Sequence, residues 1–322
     1  MKVSILGMGA FGIALSKIIK KDIKISMWTN FDDELKSVEL KRENVVSLPG
    51  IKIDKKVELT TDLEKSVKNA DVIFMAIPAV ALREVSSMLN DYIDETSSIC
   101  VVTKGIEKNT NKFMTDLVKE ELKTENISIF SGPSFAIDMA NKESIGMVIA
   151  ADSEFSRQKV ISVIDEKYIS ISSISDVRGV EIASSIKNVF AIICGMMEGM
   201  NLSDSTRASV LTTLLNDFRF IMGVLGGKET TVYSYAGIGD FLLTCMSSKS
   251  RNYTFGTLIG QGYSKDEAFN RMNVKTVEGL YTLDAIYDIL KKKQVSVNSI
   301  TLLYDVTYNN RKISNLLKEI SI

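Results

Sequence analysis

A six-residue glycine turn near the N-terminus constrains this chain more than any other feature of its sequence. Residues 7–12 read Gly-Met-Gly-Ala-Phe-Gly, directly after the apolar run 2–6 and at the start of the amphipathic stretch 11–20. In such a turn the first glycine permits a tight bend, and the second lets the backbone approach a pyrophosphate. The third lets the following helix pack closely on the strand. The helix N-terminus then turns free N–H groups and the positive end of its dipole toward phosphates. A plain tight turn would also use glycines, so context decides. A strand-turn-helix-strand unit at the head of the chain predicts a dinucleotide site built on Gly7, Gly9 and Gly12.

The rest of the first half fits such a site. Apolar runs at 2–6, 24–28, 71–77, 98–103, 127–130 and 145–150 predict buried strands, and amphipathic stretches such as 80–89 and 112–122 lie between several of them. Strand and helix in alternation predict a doubly wound parallel sheet. From about residue 178 the pattern changes to a 3.6-residue period, at 179–200, 205–225, 264–270, 277–292 and 299–308. That predicts a helical second domain, with the boundary near residues 174–179. The 322 residues suffice for two domains at about 150 residues each. Pro78 and Pro133 directly follow predicted strands, where the chain must change direction.

Several function classes are excluded by what the chain lacks. It contains no histidine, which removes Ser-His-Asp and Cys-His triads, His-ligated metals and imidazole acid/base chemistry together. Proton transfer must fall to Lys, Tyr, Cys, Asp or Glu. Cys100, Cys194 and Cys245 are far apart in sequence with no CxxC pair. No disulfide framework and no metal site is therefore expected, and a reducing cytoplasm fits. Thirty-nine Lys and Arg against 40 Asp and Glu give a net charge of −1, so no global field draws in nucleic acid or an anionic membrane. Glycines puncture the N-terminal apolar run 3–15, and Lys17, Lys20 and Lys21 follow it without a small-x-small cleavage site; it does not read as a signal peptide. The next longest apolar run, 189–197, is far short of the roughly 20 residues of a membrane span.

Five further segments carry candidate chemistry. Lys104, in Thr103-Lys104-Gly105-Ile106-Glu107, follows the fourth predicted strand and so stands at the carboxyl edge of the sheet, where ligands of such sheets bind; a solvated loop lysine is the plainer alternative. Residues 131–136, Ser-Gly-Pro-Ser-Phe-Ala, likewise follow a strand and pair hydroxyls with bare backbone amides, although a connector would look the same. Lys187-Asn188 interrupts a helix that is apolar or small nearly all round. A cation there is costly unless paired or functional, and desolvation with a second nearby cation would bring its pKa toward neutrality, which suits proton donation and return; a lysine snorkelling to the surface is the alternative. Residues 236–245 set Asp240 at a glycine turn leading into an apolar helix, with Thr244 on the same face, an arrangement that an ordinary N-cap would share. Finally, Ser247-Ser248-Lys249-Ser250-Arg251-Asn252 is either an exposed polar loop or a cluster of donors around an obligate cation, suited to a phosphate group. Cys245 reads as a small buried hydrophobe rather than a nucleophile.

Taken in order, these motifs resemble the NAD(P)-dependent sn-glycerol-3-phosphate dehydrogenase family. The resemblance rests on GMGAFG at 7–12, TKGIE at 103–107, SGPSFA at 131–136, KNVFAI at 187–192, AGIGDFLLTC at 236–245, SKSRN at 248–252 and VEG at 277–279, and spans nearly the whole chain. It implies an α/β chain: a Rossmann-type doubly wound N-terminal sheet domain at 1–177, then an all-α C-terminal domain at 178–322. It further implies hydride transfer between NAD or NADP and a small phosphorylated three-carbon substrate, interconverting dihydroxyacetone phosphate and sn-glycerol 3-phosphate for glycerophospholipid synthesis, in a homodimer. Lys187 would be the general acid/base, with Lys104, Asn188 and Asp240 also in the catalytic group. Substrate would meet Lys104, Gly132, Ser134, Lys187, Asp240, Thr244, Ser250, Arg251 and Asn252. Cofactor would meet Gly7, Gly9, Ala10, Phe11, Gly12, Asn30, Lys104, Ala136, Arg251, Thr276 and Glu278.

The chain departs from that family at defined places. Residues 201–205, Asn-Leu-Ser-Asp-Ser, replace a stretch the family usually makes glycine-rich. Thr213 and Asn30 stand where arginine is common. The second predicted strand ends in Trp28-Thr29-Asn30, with acids arriving only at Asp32 and Asp33 and no arginine for a 2′-phosphate, which leaves the choice between NAD and NADP open. Two other readings are a related reductase of another small acid or phosphate, which would have little use for Arg251 and Asn252 if its substrate lacked phosphate, and a cofactor-sensing module without turnover, against which Lys187, Asp240 and Arg251 argue.

Overall fold

The computed structural model describes residues 1–93, 96–313 and 316–321. Its contacts divide the chain into two units: residues 1–104 with 112–177, and residues 105–111 with 178–322.

The first unit alternates strand and helix: β1 (Lys2–Leu6), α1 (Ala10–Ile18), β2 (Lys24–Trp28), α2 (Asp32–Lys41), β3 (Glu58–Thr60), α3 (Leu63–Val67), β4 (Val72–Met75), α4 (Ala79–Leu89), β5 (Ser98–Val101), α5 (Met114–Glu121), β6 (Ile127–Ser131), α6 (Ala136–Ala140), β7 (Ile145–Ala150), α7 (Glu154–Val163) and β8 (Ile169–Ile174). The strands form one sheet in the order β3-β2-β1-β4-β5-β6-β7-β8. The strand runs are almost continuously apolar because both faces are covered. Val3, Ile5, Phe74, Cys100 and Phe130 join one core, whereas Leu6, Ile73, Met75, Ile99, Val101 and Ile127 join the other. Strand order reverses between β1 and β4, so the crevice for a ligand opens at the carboxyl ends of these two strands.

Eight strands stand where the sequence reading expects six, and the sheet is not wholly parallel: β6 and β7 pair antiparallel, Ser131 opposite Val148. The two additional strands are β3 and β8, which pair at the two edges with β2 and β7. Neither has the buried apolar run that marks the others. β3 has three residues, and β8 reads Ile-Ser-Ile-Ser-Ser-Ile and is half-exposed along most of its length.

The second unit is helical: α8 (Val177–Gly199), α9 (Asp204–Val224), a 3-10 turn (Glu229–Tyr233), a π-type turn (Tyr235–Gly239), α10 (Asp240–Cys245), α11 (Arg251–Gly260), α12 (Lys265–Met272), α13 (Glu278–Lys292), α14 (Asn298–Tyr308) and α15 (Leu316–Ser321). Its core is α8, buried without a break from residue 179 to 197. Among the described residues, α8 is the one helix whose length and composition would suit a membrane span, and its most apolar window, with mean hydropathy 1.5, is wholly buried inside the protein. The uninterrupted run at 189–197 understated this helix, which continues through Lys187 and Asn188. Rings of Phe190, Phe218 and Phe241, with centroids 5.9 to 6.2 Å apart, tie α8, α9 and α10 together. The polar segment 247–252 leaves α10 through a turn and runs into α11, which Ser250 caps by accepting from the Tyr253 N–H. α8 and α11 meet backbone to backbone through Gly195, Gly199, Gly256 and Gly260; a Cβ on Gly256 would lie 1.9 Å from the Ile192 carbonyl oxygen.

Candidate active site

In the first unit the glycine turn joins β1 to α1. The Gly7 N–H donates to the Trp28 carbonyl at 2.8 Å, which ties the turn to the end of β2. Gly7 has φ +119°, and a Cβ there would stand 2.3 Å from the Ala76 carbonyl oxygen; both facts restrict the position to glycine. A Cβ on Gly12 would stand 2.1 Å from the Gly7 carbonyl oxygen, so strand and helix approach as closely as the sequence reading requires. A Cβ on Gly9, by contrast, would meet nothing within 4 Å. Gly9 is also the N-cap of α1, which no side chain caps. An open cradle with uncapped helix N–H groups at a topological switch point fits a dinucleotide pyrophosphate.

The same carboxyl edge gathers the other first-unit candidates. Ala10 and Phe11 form the first turn of α1, half-buried against the core beside Ala76 and Ala136. Asn30 lies exposed just beyond β2. Thr103 donates to the carbonyls of Met75 (2.9 Å) and Ile77 (2.7 Å), binding the end of β5 to that of β4 and so placing Lys104, which is half-buried. Lys104 is also the last residue before segment 105–111, which belongs to the second unit. Gly132, directly after β6, would carry a Cβ 2.8 Å from the Gly146 carbonyl oxygen. Ser134 donates back to the Gly132 carbonyl at 3.3 Å, and Ala136 begins α6.

The second unit holds a compact polar cluster. Lys187 on α8 is 7% exposed and Asp240, the first residue of α10, is 1% exposed. The Lys187 ammonium donates to Asp240 Oδ1. Thr244 donates to the Asp240 carbonyl at 2.7 Å, one turn along the helix. Gly239, not Asp240, is the N-cap of α10, so the carboxylate is not spent on capping. Beside the ion pair runs a chain of amides. Asn188 Nδ2 donates to Glu278 Oε2 (3.3 Å), Asn252 Nδ2 donates to Asn188 Oδ1 (3.0 Å), and the Gly279 N–H donates to Asn252 Oδ1 (2.8 Å). Lys187, Asn188, Asp240, Thr244, Asn252 and Glu278 are therefore joined directly or through neighbours. Ser250 and Arg251 adjoin Asn252, and Arg251 is exposed at the first turn of α11. Thr276 donates to the neighbouring Val277 carbonyl, at 3.4 Å, and among the described residues has no hydrogen bond to this cluster.

Two features escaped the sequence reading. One is the α8–α11 glycine crossing, whose signal is the spacing of four between Gly195 and Gly199 and again between Gly256 and Gly260. The other is the contact of Cys194 with Cys245 beside the ion pair. Burial pushes the Cys245 thiol well above its ordinary value, and Cys194 acts in the same direction. Burial likewise pushes Cys100 up to about 12. All three cysteines are free and buried, so they are expected not to react with iodoacetamide at pH 8 in the folded protein and to react fully after unfolding. Fast alkylation of Cys245 in the native state would contradict its reading as a buried hydrophobe.

Comparison with known proteins adds an independent line. A family model described as the NAD-dependent glycerol-3-phosphate dehydrogenase N-terminus matches residues 2–156, and its C-terminal counterpart matches residues 176–318. The chain is 31% identical over 325 residues to a glycerol-3-phosphate dehydrogenase [NAD(P)+] of Fusobacterium nucleatum, covering all of this chain and 97% of that protein. It is 30% identical to the enzyme of that name from Agathobacter rectalis, covering 96% of it. Among solved structures, the glycerol-3-phosphate dehydrogenase of Coxiella burnetii superposes with a TM-score of 0.90 at 26% identity, over 99% of this chain and 98% of that one.

Proposed function

The chain belongs to the NAD-dependent glycerol-3-phosphate dehydrogenase family, and on that premise we propose how its residues divide the work. It is an oxidoreductase that uses NAD or NADP and interconverts dihydroxyacetone phosphate and sn-glycerol 3-phosphate. The carrying observation for its mechanism is the buried Lys187–Asp240 pair in the core of the helical unit.

Gly7, Gly9, Gly12, Ala10 and Phe11 would hold the dinucleotide, with Asn30 at the ribose and Ala136, Arg251, Thr276 and Glu278 as further contacts. The bound nicotinamide supplies or accepts the hydride at C2 of the substrate. Lys187 gives a proton to the ketone oxygen on reduction and takes it back on oxidation. Asp240 fixes the direction of the Lys187 Nζ and balances its charge where water is scarce. Thr244 holds Asp240 from the same helix. Asn188, itself oriented by Asn252 and Glu278, donates toward the same oxygen, and Lys104 adds a second ammonium. Arg251, Asn252 and Ser250 take the phosphate dianion; an arginine at a helix N-terminus suits that role because fork and dipole act together. Gly132 and Ser134 complete the substrate contacts. No metal enters this scheme, because ammonium groups supply the polarisation.

The free, buried cysteines agree with a cytoplasmic setting. Supply of glycerol 3-phosphate to glycerophospholipid synthesis and assembly as a homodimer are carried from the family. The test is oxidation of NADH and NADPH by dihydroxyacetone phosphate, followed at 340 nm, in the parent and in Arg251→Ala. Turnover is expected in the parent. In the variant, KM for the phosphorylated substrate is expected to rise about ten- to a hundred-fold, as when one partner of a charge-assisted pair is removed. An unchanged KM would remove the phosphate site, and no turnover in the parent would remove the activity.

A further inference from the structure

We propose that this protein prefers the dinucleotide without a 2′-phosphate, NAD over NADP, and that Glu34 sets the preference. The proposal rests on the reading of residues 7–12 as the dinucleotide turn. In a doubly wound sheet the adenosine ribose is read at the end of β2, by an acid that takes its hydroxyls or by a cation that takes a 2′-phosphate. Here β2 ends without either: Thr29 is buried and Asn30 is neutral. The acid arrives late, on the first turn of α2, and it is tied back into place. Glu34 accepts from the Thr29 hydroxyl through Oε2 and from Asn44 Nδ2 at 3.0 Å through Oε1. The same Asn44 nitrogen donates to the Met8 carbonyl at 3.0 Å, inside the glycine turn. One carboxylate is thus fixed between the two elements that flank the ribose.

The cations of this region are committed elsewhere. Between residues 6 and 35 they are Lys17, Lys20, Lys21 and Lys24. Lys17, Lys20 and Lys21 line a cavity together with Lys56 and Lys142, beside the start of β2. Lys24 is the first residue of that strand, about 13 Å from its last at strand rise. Lys36 lies two residues beyond Glu34 and so points about 200° away around α2. Arg42 closes the far end of α2 and donates to the carbonyls of Asp54 and Val57. Asp32 and Asp33, exposed on the first turn of α2, add negative charge and answer the helix dipole that would otherwise welcome a phosphate. A 2′-phosphate brought here meets a pinned carboxylate and, among the described residues of β1 to α2, no cation at the end of β2, which is discrimination by an unpaired charge.

The test is nucleotide binding by the full chain, which does not depend on turnover. Trp28 is the only tryptophan and the last residue of β2, so its emission reports on this pocket, and reduced nicotinamide quenches it identically in NADH and NADPH. NADH is expected to bind about ten-fold or more tightly than NADPH at equal ionic strength. Glu34→Gln, close to isosteric, is expected to narrow that ratio at least about three-fold, chiefly through tighter NADPH binding. If Glu34→Gln does not fold, Asn30→Arg is expected to narrow the ratio from the same pocket. NADPH binding as tightly as NADH to the parent, or a ratio that neither folded variant moves, overturns the proposal and leaves the dehydrogenase reading standing. Quenching by neither nucleotide overturns the dinucleotide site and the preference with it. Failure of dihydroxyacetone phosphate to be reduced, with the binding ratio as expected, would fall on the activity alone.

Discussion

Lys187→Ala is expected to lower kcat for dihydroxyacetone phosphate reduction by about a hundred-fold or more, the usual effect of losing a general acid, while the affinity for NADH stays within about two-fold. The split follows from position. The glycine turn that would hold the nucleotide joins β1 to α1, and Lys187, on α8, is not among the proposed nucleotide contacts. Removing the ammonium also leaves Asp240, 1% exposed, without its cation, and breaking a buried pair in this way costs about 3–5 kcal/mol. Thermal unfolding must therefore be measured alongside turnover. Lys187→Arg separates the two effects. A guanidinium keeps the charge opposite Asp240 but does not deprotonate in proteins, so stability is expected to return in large part and turnover is not. If turnover stays within a few-fold of the parent in Lys187→Ala, or if arginine restores it, Lys187 serves as a structural cation and the assignment of acid and base fails.

What the sequence made legible is what local chemistry dictates. The turn at residues 7–12 declares itself because Gly7 and Gly12 answer backbone constraints that no other residue meets, with Cβ clearances of 2.3 and 2.1 Å, while Gly9 leaves the cradle open. Lys187 was legible because a cation in an apolar helix needs a reason. β8 was missed because only buried apolar runs were taken as strands, while an edge strand with one wet face alternates, as its Ile-Ser-Ile-Ser does. The antiparallel pairing of β7 was hidden because the 13 residues between Ser131 and Ile145 are long enough for a crossover in either sense. The amide chain from Glu278 through Asn188 and Asn252 to Gly279 joins positions as much as 90 residues apart, so only the packing of α8, α11 and α13 creates it. Helix α11 was not among the expected helices because its start is polar and it holds two glycines, Gly256 inside it and Gly260 at its end, and a glycine inside a helix costs about 1 kcal/mol relative to alanine.

Those two glycines set up the second large effect: Gly256→Ala, which raises helix propensity, is expected to destabilise the helical unit. A Cβ at Gly256 would stand 1.9 Å from the Ile192 oxygen, 2.7 Å from its carbonyl carbon and 2.9 Å from its Cα. These are backbone atoms of a buried helix and cannot rotate aside, so α8 and α11 must separate. The reciprocal contacts bar an easy slide: a Cβ at Gly195 would lie 2.0 Å from the Tyr253 oxygen, and one at Gly260 would lie 2.4 Å from the Met196 oxygen. The expected cost is about 3 kcal/mol, the upper end of ordinary overpacking, which lowers Tm by about 4–5 °C if the whole chain unfolds as one. The crossing also places chemistry, since Asn252 stands one turn before Gly256 and donates to Asn188, one turn before Ile192. Moving the helices apart breaks that amide pair, so KM for dihydroxyacetone phosphate is expected to rise in whatever fraction remains folded. Gly223→Ala on α9 is the control with opposite sign, because its Cβ would meet only the end of the Glu229 side chain, at 3.4 Å. There the propensity gain of up to about 1 kcal/mol is expected to appear as added stability. A Gly256→Ala protein as stable as its parent would mean that the two helices do not meet through their backbones, and that Asn252 owes its place to something else.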